Sequence, residues 1–211
     1  MKRIPGKFWL AILFLAIFIV NTLLLYSEGY KFGWLWFCPT LLVMFAAAIL
    51  TNNKLLLSSV VVSATVIEII WSIDAIYFFI TERFLVNAAM YLANASLARK
   101  IITMYHFLLL IVPIIIVLRK KEFSKHAWMV SSLNLFAVLL LGFLFNAHNI
   151  NCTQDFCNLN FGNLEAVPKT DLILASSIIW ITLSFLVFLP TNLFFNFLIK
   201  KLNASKKERF K

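Results

Sequence analysis

Long apolar runs, separated by short polar segments, dominate this chain. The runs cover residues 8–26, 34–52, 55–80, 101–118, 127–146 and 171–198. About 20 consecutive apolar residues in helical conformation cross the hydrocarbon core of a bilayer. The pattern therefore predicts an all-α polytopic membrane protein, a bundle of six transmembrane helices. The third and sixth runs exceed what a bilayer requires, which predicts tilt or extension beyond it, and Pro190 is expected to kink or end the sixth span.

The apolar segment 84–98 is too short to be a further span. A span at this position would also move the basic C-terminal tail to the outer side of the membrane, where positive charge is disfavoured. The segment is therefore predicted to be an interfacial or re-entrant helix on the outer side.

The composition excludes a soluble globular domain. Hydrophobic residues occupy 62% of the 211 positions and charged residues only 13%, and the mean hydropathy is +0.91. A soluble domain carries about 25% charged residues, so an apolar excess of this size belongs in a membrane. We expect one membrane domain over residues 1–200, followed by a basic cytoplasmic tail at 201–211.

The positions of the basic residues predict the orientation. The net charge is +10, but the basic residues lie in short runs beside apolar segments, which is typical of membrane topology and not of nucleic-acid binding. With six spans and the N-terminus inside, 14 of the 19 basic residues lie on the inner side: Lys2, Arg3, Lys7, Lys54, Arg119, Lys120, Lys121, Lys125, Lys200, Lys201, Lys206, Lys207, Arg209 and Lys211. Both termini are predicted to be cytoplasmic. The expected location is a cell membrane of bacterial inner-membrane type, with membrane lipids, and in one hypothesis other membrane subunits, as partners.

Two cysteines lie in the outer loop 147–170. Cys152 and Cys157 are five positions apart, which is not the C-x-x-C spacing of a thiol oxidoreductase. Thiols on the oxidising side of a membrane commonly pair, so we predict a disulfide that closes this loop.

Polar residues inside the apolar runs are the candidates for chemistry. Glu68 and Asp74 are acidic residues within the third run, and an intramembrane carboxylate is costly unless it points into the bundle. Counted from the predicted outer surface, Cys38 in the second run and His106 in the fourth lie at about the depth of Asp74. Trp71 lies on the same helix as both carboxylates.

The fifth run brings three more polar side chains to the same side. His148, Asn149 and Asn151 follow directly after this run. Polar groups from several separate stretches are thus expected in one layer of the outer leaflet, which predicts an outward-facing polar site.

Three hypotheses for the chemistry of this site stay open. In the first, Cys38 is a nucleophile, His106 its base and Asp74 the carboxylate that orients His106. In the second, His106, His148 and Asp74 bind a metal that activates water; close histidine spacing is missing, and neither a metal nor another cofactor is predicted. In the third, the same groups line a small-molecule pocket, and Glu68, deeper in the membrane, couples binding to protonation.

Three short motifs resemble an uncharacterised family of bacterial polytopic membrane proteins. They are the W-x-x-D sequence Trp71–Asp74, Tyr105-His106 followed by Pro113, and Asn149-Ile150-Asn151. The resemblance covers about residues 71–151 and implies no known activity. It does imply that the polar residues of these motifs work as one cluster.

Three classes of function follow from these features. The leading hypothesis is a membrane-embedded hydrolase or acyltransferase that acts on a lipid or lipid-linked substrate. The second is a small-molecule transporter or the substrate-binding membrane subunit of one. The third is a non-catalytic subunit of a membrane complex, in which the polar residues serve helix assembly.

Overall fold

The computed structural model describes residues 5–145 and 169–208, and these residues form helices and connecting turns without a strand. The helices are α1 Pro5–Ser27, α2 Phe37–Leu50, α3 Lys54–Thr81, α4 Leu97–Ile102, α5 Tyr105–Lys120, α6 Ala127–Leu144, α7 Lys169–Thr182 and α8 Leu189–Glu208. Short 3₁₀ turns occupy Gly33–Leu35 and Met90–Ala93, and a π-helical segment, Leu183–Phe188, joins α7 to α8. The all-α class predicted from the sequence is confirmed for the described residues.

Five helical segments are long and apolar enough to cross a membrane. They are Gly6–Ser27, Lys54–Thr81, Leu97–Lys120, Ala127–Leu144 and Ser176–Ser205. The remaining apolar helix, α2, has 14 residues and rises about 21 Å, whereas the hydrocarbon core is about 30 Å thick. The structure thus confirms a membrane-compatible helical protein, and the sixth span at α2 stays a prediction.

α3 is the central helix of the bundle. It packs against α2, α5 and α6, and 61% of its apolar window is buried, more than in any other candidate span of the described chain. Small side chains make this close packing possible: Ser59 and Ser63 are fully buried, and Ser131 of α6 donates a hydrogen bond to the backbone carbonyl of Ser59 at 3.0 Å.

The return segment 82–96 folds back over the last turns of α3. α3 ends where Glu82 adopts a left-handed conformation with φ 57°. The prediction of a helix over 84–98 is wrong, because bends and one 3₁₀ turn fill most of this range and α4 begins only at Leu97. Ala89 and Leu92 are buried against Trp71, so the apolar character of the segment reflects packing on α3.

The last apolar run changes helical geometry before its proline. Pro190 has no N–H and its ring crowds the preceding turn. The π-helical segment Leu183–Phe188 lies immediately before it, with the Leu189 N–H donating to the Ser184 carbonyl five residues back. The helix then continues to Glu208, so the expected perturbation at Pro190 takes the form of a π-helical segment, a known solution to local misfit in helices.

Candidate functional site

A buried carboxylate–imidazole pair lies at the end of the bundle where α1 ends, α2 begins and α5 begins. We call this the Cys38 end. Glu68 Oε2 of α3 lies 2.5 Å from His106 Nδ1 of α5, and the side chains are 0% and 6% exposed. In this contact the carboxylate accepts from Nδ1–H, which leaves Nε2 as the ring nitrogen for a different partner. Glu68 therefore fixes the orientation of His106.

Cys38 completes a three-helix convergence. It is the second residue of α2, and its thiol lies with one Glu68 oxygen and one His106 ring nitrogen in a group whose atoms are all within 4.8 Å of one another. His106 is likewise the second residue of α5. Both side chains thus reach Glu68 from the first turn of their helices.

The triangular shape of this group matters for its chemistry. In a nucleophile–base–carboxylate triad the carboxylate lies on the far side of the imidazole, so two hydrogen bonds and the ring separate it from the nucleophile by about 7 Å. Here the Cys38 thiol and the Glu68 carboxylate are within 4.8 Å. Sulfur, carboxylate oxygen and imidazole nitrogen grouped this closely are the donor types that zinc takes in proteins.

One oxygen of the site has no hydrogen-bond partner in the described part of the chain. Glu68 Oε1 is buried and accepts no hydrogen bond from any described residue. A buried unsatisfied carboxylate oxygen costs free energy, because it has lost water and gained nothing in return. A bound cation at this position would satisfy it.

Aromatic rings enclose the imidazole. The Trp71 ring stacks on His106 with centroids 4.0 Å apart and planes 19° apart, and the Tyr105 ring lies 4.3 Å away. Trp71 Nε1 donates to the Tyr91 hydroxyl at 3.1 Å. Trp71 therefore lies beside His106, where it restricts the imidazole ring and covers it from lipid.

Asp74 has a different environment from the one predicted. Its Oδ1 accepts from the backbone N–H groups of Leu85 and Val86 at 2.7 and 3.0 Å, and its Oδ2 accepts from Ala89 at 2.8 Å. These bonds hold the return segment 82–96 on α3. The carboxylate beside His106 is Glu68, so the expectation that Asp74 orients His106 is corrected, as is the expectation that Glu68 lies deeper than the other polar groups.

A second charged cluster lies close to the site. Arg99 of α4 is 2% exposed and pairs with Glu28, which follows α1, while Ser96 donates to the same carboxylate at 3.0 Å. The guanidinium carbon lies 4.9 and 4.8 Å from the ring centroids of Tyr30 and Tyr91, at cation–π distance. Because Tyr91 also accepts from Trp71, a continuous chain of contacts links Arg99 to the imidazole.

The charge of Arg99 controls the ionisation of Glu28. Burial on its own raises the pKa of the Glu28 carboxyl, but the hydrogen bond and positive charge of Arg99 outweigh burial and lower this pKa below its ordinary value. Glu28 is therefore held as the anion and ties the end of α1 to α4.

The remaining predicted site residues cannot be placed. His148, Asn149, Asn151, Cys152 and Cys157 lie outside the described residues, so their part in the site and the predicted disulfide stay predictions. Among the described residues the structure brings Cys38, Glu68, Trp71 and His106 together.

Sequence reasoning missed the roles of Arg99 and Glu28. Arg99 was counted only as an orientation charge, although it lies three residues after Ser96, whose hydroxyl caps α4 by accepting from the Arg99 N–H. The available signal is a basic residue in the first turn of an apolar helix, with tyrosines and tryptophans in the segments before it. This pattern could have indicated a cation–aromatic cluster.

Comparison with protein-family models, with curated proteins and with solved structures yields no match to this chain. The functional argument therefore rests on the geometry of the site.

Proposed function

We propose that this protein is a membrane-embedded, metal-dependent hydrolase that acts on a lipid or lipid-linked substrate. The observation that carries the proposal is the meeting of Cys38, Glu68 and His106, from three different helices, with donor atoms within 4.8 Å of one another. This donor set suits a divalent ion of the zinc type, which in catalytic sites takes three protein ligands and a water.

Charge balance supports a divalent ion at this depth. A thiolate, a carboxylate and a neutral imidazole around a divalent cation sum to zero net charge. A neutral centre avoids the large desolvation penalty of an isolated charge in hydrocarbon. Glu68 Oε1, which has no hydrogen-bond partner among the described residues, could also coordinate the ion.

The chemistry that follows is attack by water on a polarised carbonyl or phosphoryl group. A bound divalent ion lowers the pKa of its water and polarises the substrate oxygen. Within the chain, Trp71 and Tyr105 shield the centre from bulk water. Cys38 is the least buried of the three residues, so we expect substrate to approach from the start of α2.

The topology belongs to the same proposal. Six spans with α2 as the short one, and both termini in the cytoplasm, place the Cys38 end in the outer leaflet of a bacterial inner membrane. The excess of basic residues at the opposite end of the bundle supports this orientation. Labelling of single cysteines introduced at Lys31 and Lys125 with a membrane-impermeant reagent tests it: the outer-side position should react in intact cells and the inner-side position should not.

Metal binding is the first experiment. The full-length protein in lipid nanodiscs is stripped with a chelator and reloaded with zinc or with cobalt. Wild type should hold about one ion per chain, and cobalt should give the intense near-ultraviolet absorption of thiolate ligation. Cys38→Ser should abolish that band. A wild type that holds no stoichiometric metal, or a band that persists in Cys38→Ser, contradicts the proposal.

A matched control separates ligation from general damage. His106→Asn should lower zinc affinity by about 100-fold or more, since loss even of a supporting residue commonly costs 10–100-fold. His126→Asn, at an exposed histidine near the opposite end, should leave affinity unchanged. Equal loss in both variants would show that His106 is not a ligand.

Activity then distinguishes the two other functional classes. Zinc-loaded protein in proteoliposomes should hydrolyse at least one member of a panel of ester- and phosphodiester-linked lipids, and the stripped protein should not. Movement of zinc across the proteoliposome membrane without hydrolysis would favour a transporter. Stoichiometric zinc with neither hydrolysis nor flux would favour the non-catalytic subunit.

A further inference from the structure

A second polar centre lies at the opposite end of the bundle, where α1 begins, α2 ends and α5 ends. We call this the Lys7 end. Lys7 Nζ and Lys120 Nζ lie 3.3 and 2.7 Å from the same atom, Oδ1 of Asn52. Two ammonium groups therefore share one neutral acceptor, and neither forms an ion pair with a carboxylate in the described part of the chain.

Such an arrangement is electrostatically unfavourable by itself. Two like charges that meet at one amide oxygen repel each other, and a single neutral oxygen compensates them poorly. Asn52 holds its position in a left-handed turn with φ 52° between α2 and α3, a conformation that asparagine tolerates better than most residues. The turn thus presents its amide oxygen where both lysines reach it.

An open cavity lies beside the two ammonium groups. It measures about 210 Å³ and is lined by Gly6, Lys7, Leu10, Ile49, Asn52, Ile116 and Lys120. Its walls are almost entirely apolar below the polar rim, and they come from α1, α2 and α5. Open space surrounds Gly6 at this mouth, since no atom lies within 4 Å of where its Cβ would be.

The rim and the walls of this cavity differ in chemistry. Positive groups at the rim and apolar walls beneath it match a phosphate headgroup and an acyl chain, respectively.

We propose that the Lys7 end binds one anionic phospholipid, with its phosphate between Lys7 and Lys120 and one acyl chain along Leu10, Ile49 and Ile116. Basic pockets between membrane helices are suited to such lipids. The proposal is independent of the metal centre at the Cys38 end, because no residue is common to the two sites.

Native mass spectrometry of the full-length protein tests the proposal. After delipidation, the protein is titrated with phosphatidylglycerol or with phosphatidylcholine of the same acyl chains. Wild type should retain one phosphatidylglycerol with an affinity at least about 10-fold above that for phosphatidylcholine. Equal retention of the two lipids would overturn the proposal.

A matched pair of variants separates this pocket from general surface charge. Lys7→Gln/Lys120→Gln should lower affinity for phosphatidylglycerol by about 10- to 30-fold, as expected for two basic residues near a headgroup. Lys54→Gln/Lys125→Gln removes two other exposed lysines of the same end and should change it less than about threefold. A loss of phosphatidylglycerol affinity of similar size in both double variants would overturn the proposal of a specific pocket.

A competition arm identifies the source of the phosphate. Inorganic phosphate at millimolar concentration should leave the retained phosphatidylglycerol in place, because the acyl chain contributes most of the contact area. Displacement by phosphate would overturn the lipid assignment in favour of a free anion. Folding of each variant is checked by its unchanged thermal transition, and Lys7→Arg/Lys120→Arg should restore binding if charge at this mouth is what matters.

Discussion

Two fully buried carboxylates on the same helix have opposite surroundings. Asp74 accepts hydrogen bonds from three backbone N–H groups of the return segment, whereas Glu68 lies beside His106 and Cys38, and its Oε1 has no hydrogen-bond partner among the described residues. Both would be equally expensive in lipid. The difference shows that burial of a charge in a membrane helix is not by itself evidence of function; the number of satisfied acceptor positions separates a structural carboxylate from a candidate ligand.

The largest expected effect concerns Asp74. Asp74→Ala leaves three N–H groups of the return segment without an acceptor, and hydrogen bonds to a charged group each contribute about 1.5–3 kcal/mol. We expect a loss of about 3–5 kcal/mol in the free energy of unfolding, measured by denaturant titration in nanodiscs. Ile73→Ala, at an exposed neighbouring position, is the control. A change below about 1 kcal/mol at Asp74 would remove its structural role.

Substitution of Glu68 should have a small effect on stability and a large effect on zinc binding. Glu68→Gln keeps the size of the side chain and a hydrogen-bond acceptor for His106, and it removes a buried charge whose Oε1 accepts no hydrogen bond from the described residues, so stability should change by less than about 1 kcal/mol. Zinc affinity should fall by about 100-fold, near 2.7 kcal/mol, in an equilibrium competition with a chelating dye. Strong destabilisation with intact zinc binding would reverse the comparison between the two carboxylates.

Glu28 provides a charge pair outside the spans, with a defined pH dependence. Because the pKa of Glu28 is lowered in the folded protein, its contribution is present at neutral pH and is lost as pH falls through this pKa. Glu28→Gln should lower stability at pH 7 by about 1 kcal/mol, since the carboxylate is partly screened by solvent. The variant should also have a flatter stability profile below about pH 5, because the wild-type contribution is lost between the ordinary pKa of the carboxyl and its lowered value in the folded protein. Parallel profiles for the two proteins would count against this coupling.

The smallest effect is expected at Trp71. Trp71→Phe removes the hydrogen bond to Tyr91 and part of the stacking on His106, which should lower stability by about 0.5–1 kcal/mol. Zinc affinity should fall by less than about 10-fold, because the ligands themselves remain. A loss as large as that of His106→Asn would mean that Trp71 does more than position the imidazole.

The fold was predicted well where hydrophobicity alone decides it. The run 55–80 corresponds to α3 Lys54–Thr81, and the run 127–146 to α6 Ala127–Leu144. Prediction from local apolar character failed for the segment 84–98. Its apolar residues bury themselves on α3, and the three amide groups that Asp74 holds are incompatible with a regular helix there.

The site was predicted in part. Cys38, His106 and Asp74 were expected at one level, and of these only Cys38 and His106 lie together. Trp71, a further candidate, stacks on His106 from the buried face of α3. Spacing along the sequence could not show which of the two carboxylates, Glu68 or Asp74, contacts His106. α3 continues seven residues beyond Asp74 to Thr81, and the return segment covers that end, so the level of His106 coincides with Glu68.

What the amino-acid sequence determined is therefore the membrane character, the helical class and the set of polar residues that cannot face lipid. These are properties of single residues and of runs along the chain, governed by transfer free energies that do not depend on neighbours in space. Tertiary structure alone decided which carboxylate meets His106 and which holds the return segment. It also brought Lys7 and Lys120 to one asparagine, since such pairings depend on helix rotation and relative height, which small differences in packing and turn geometry set.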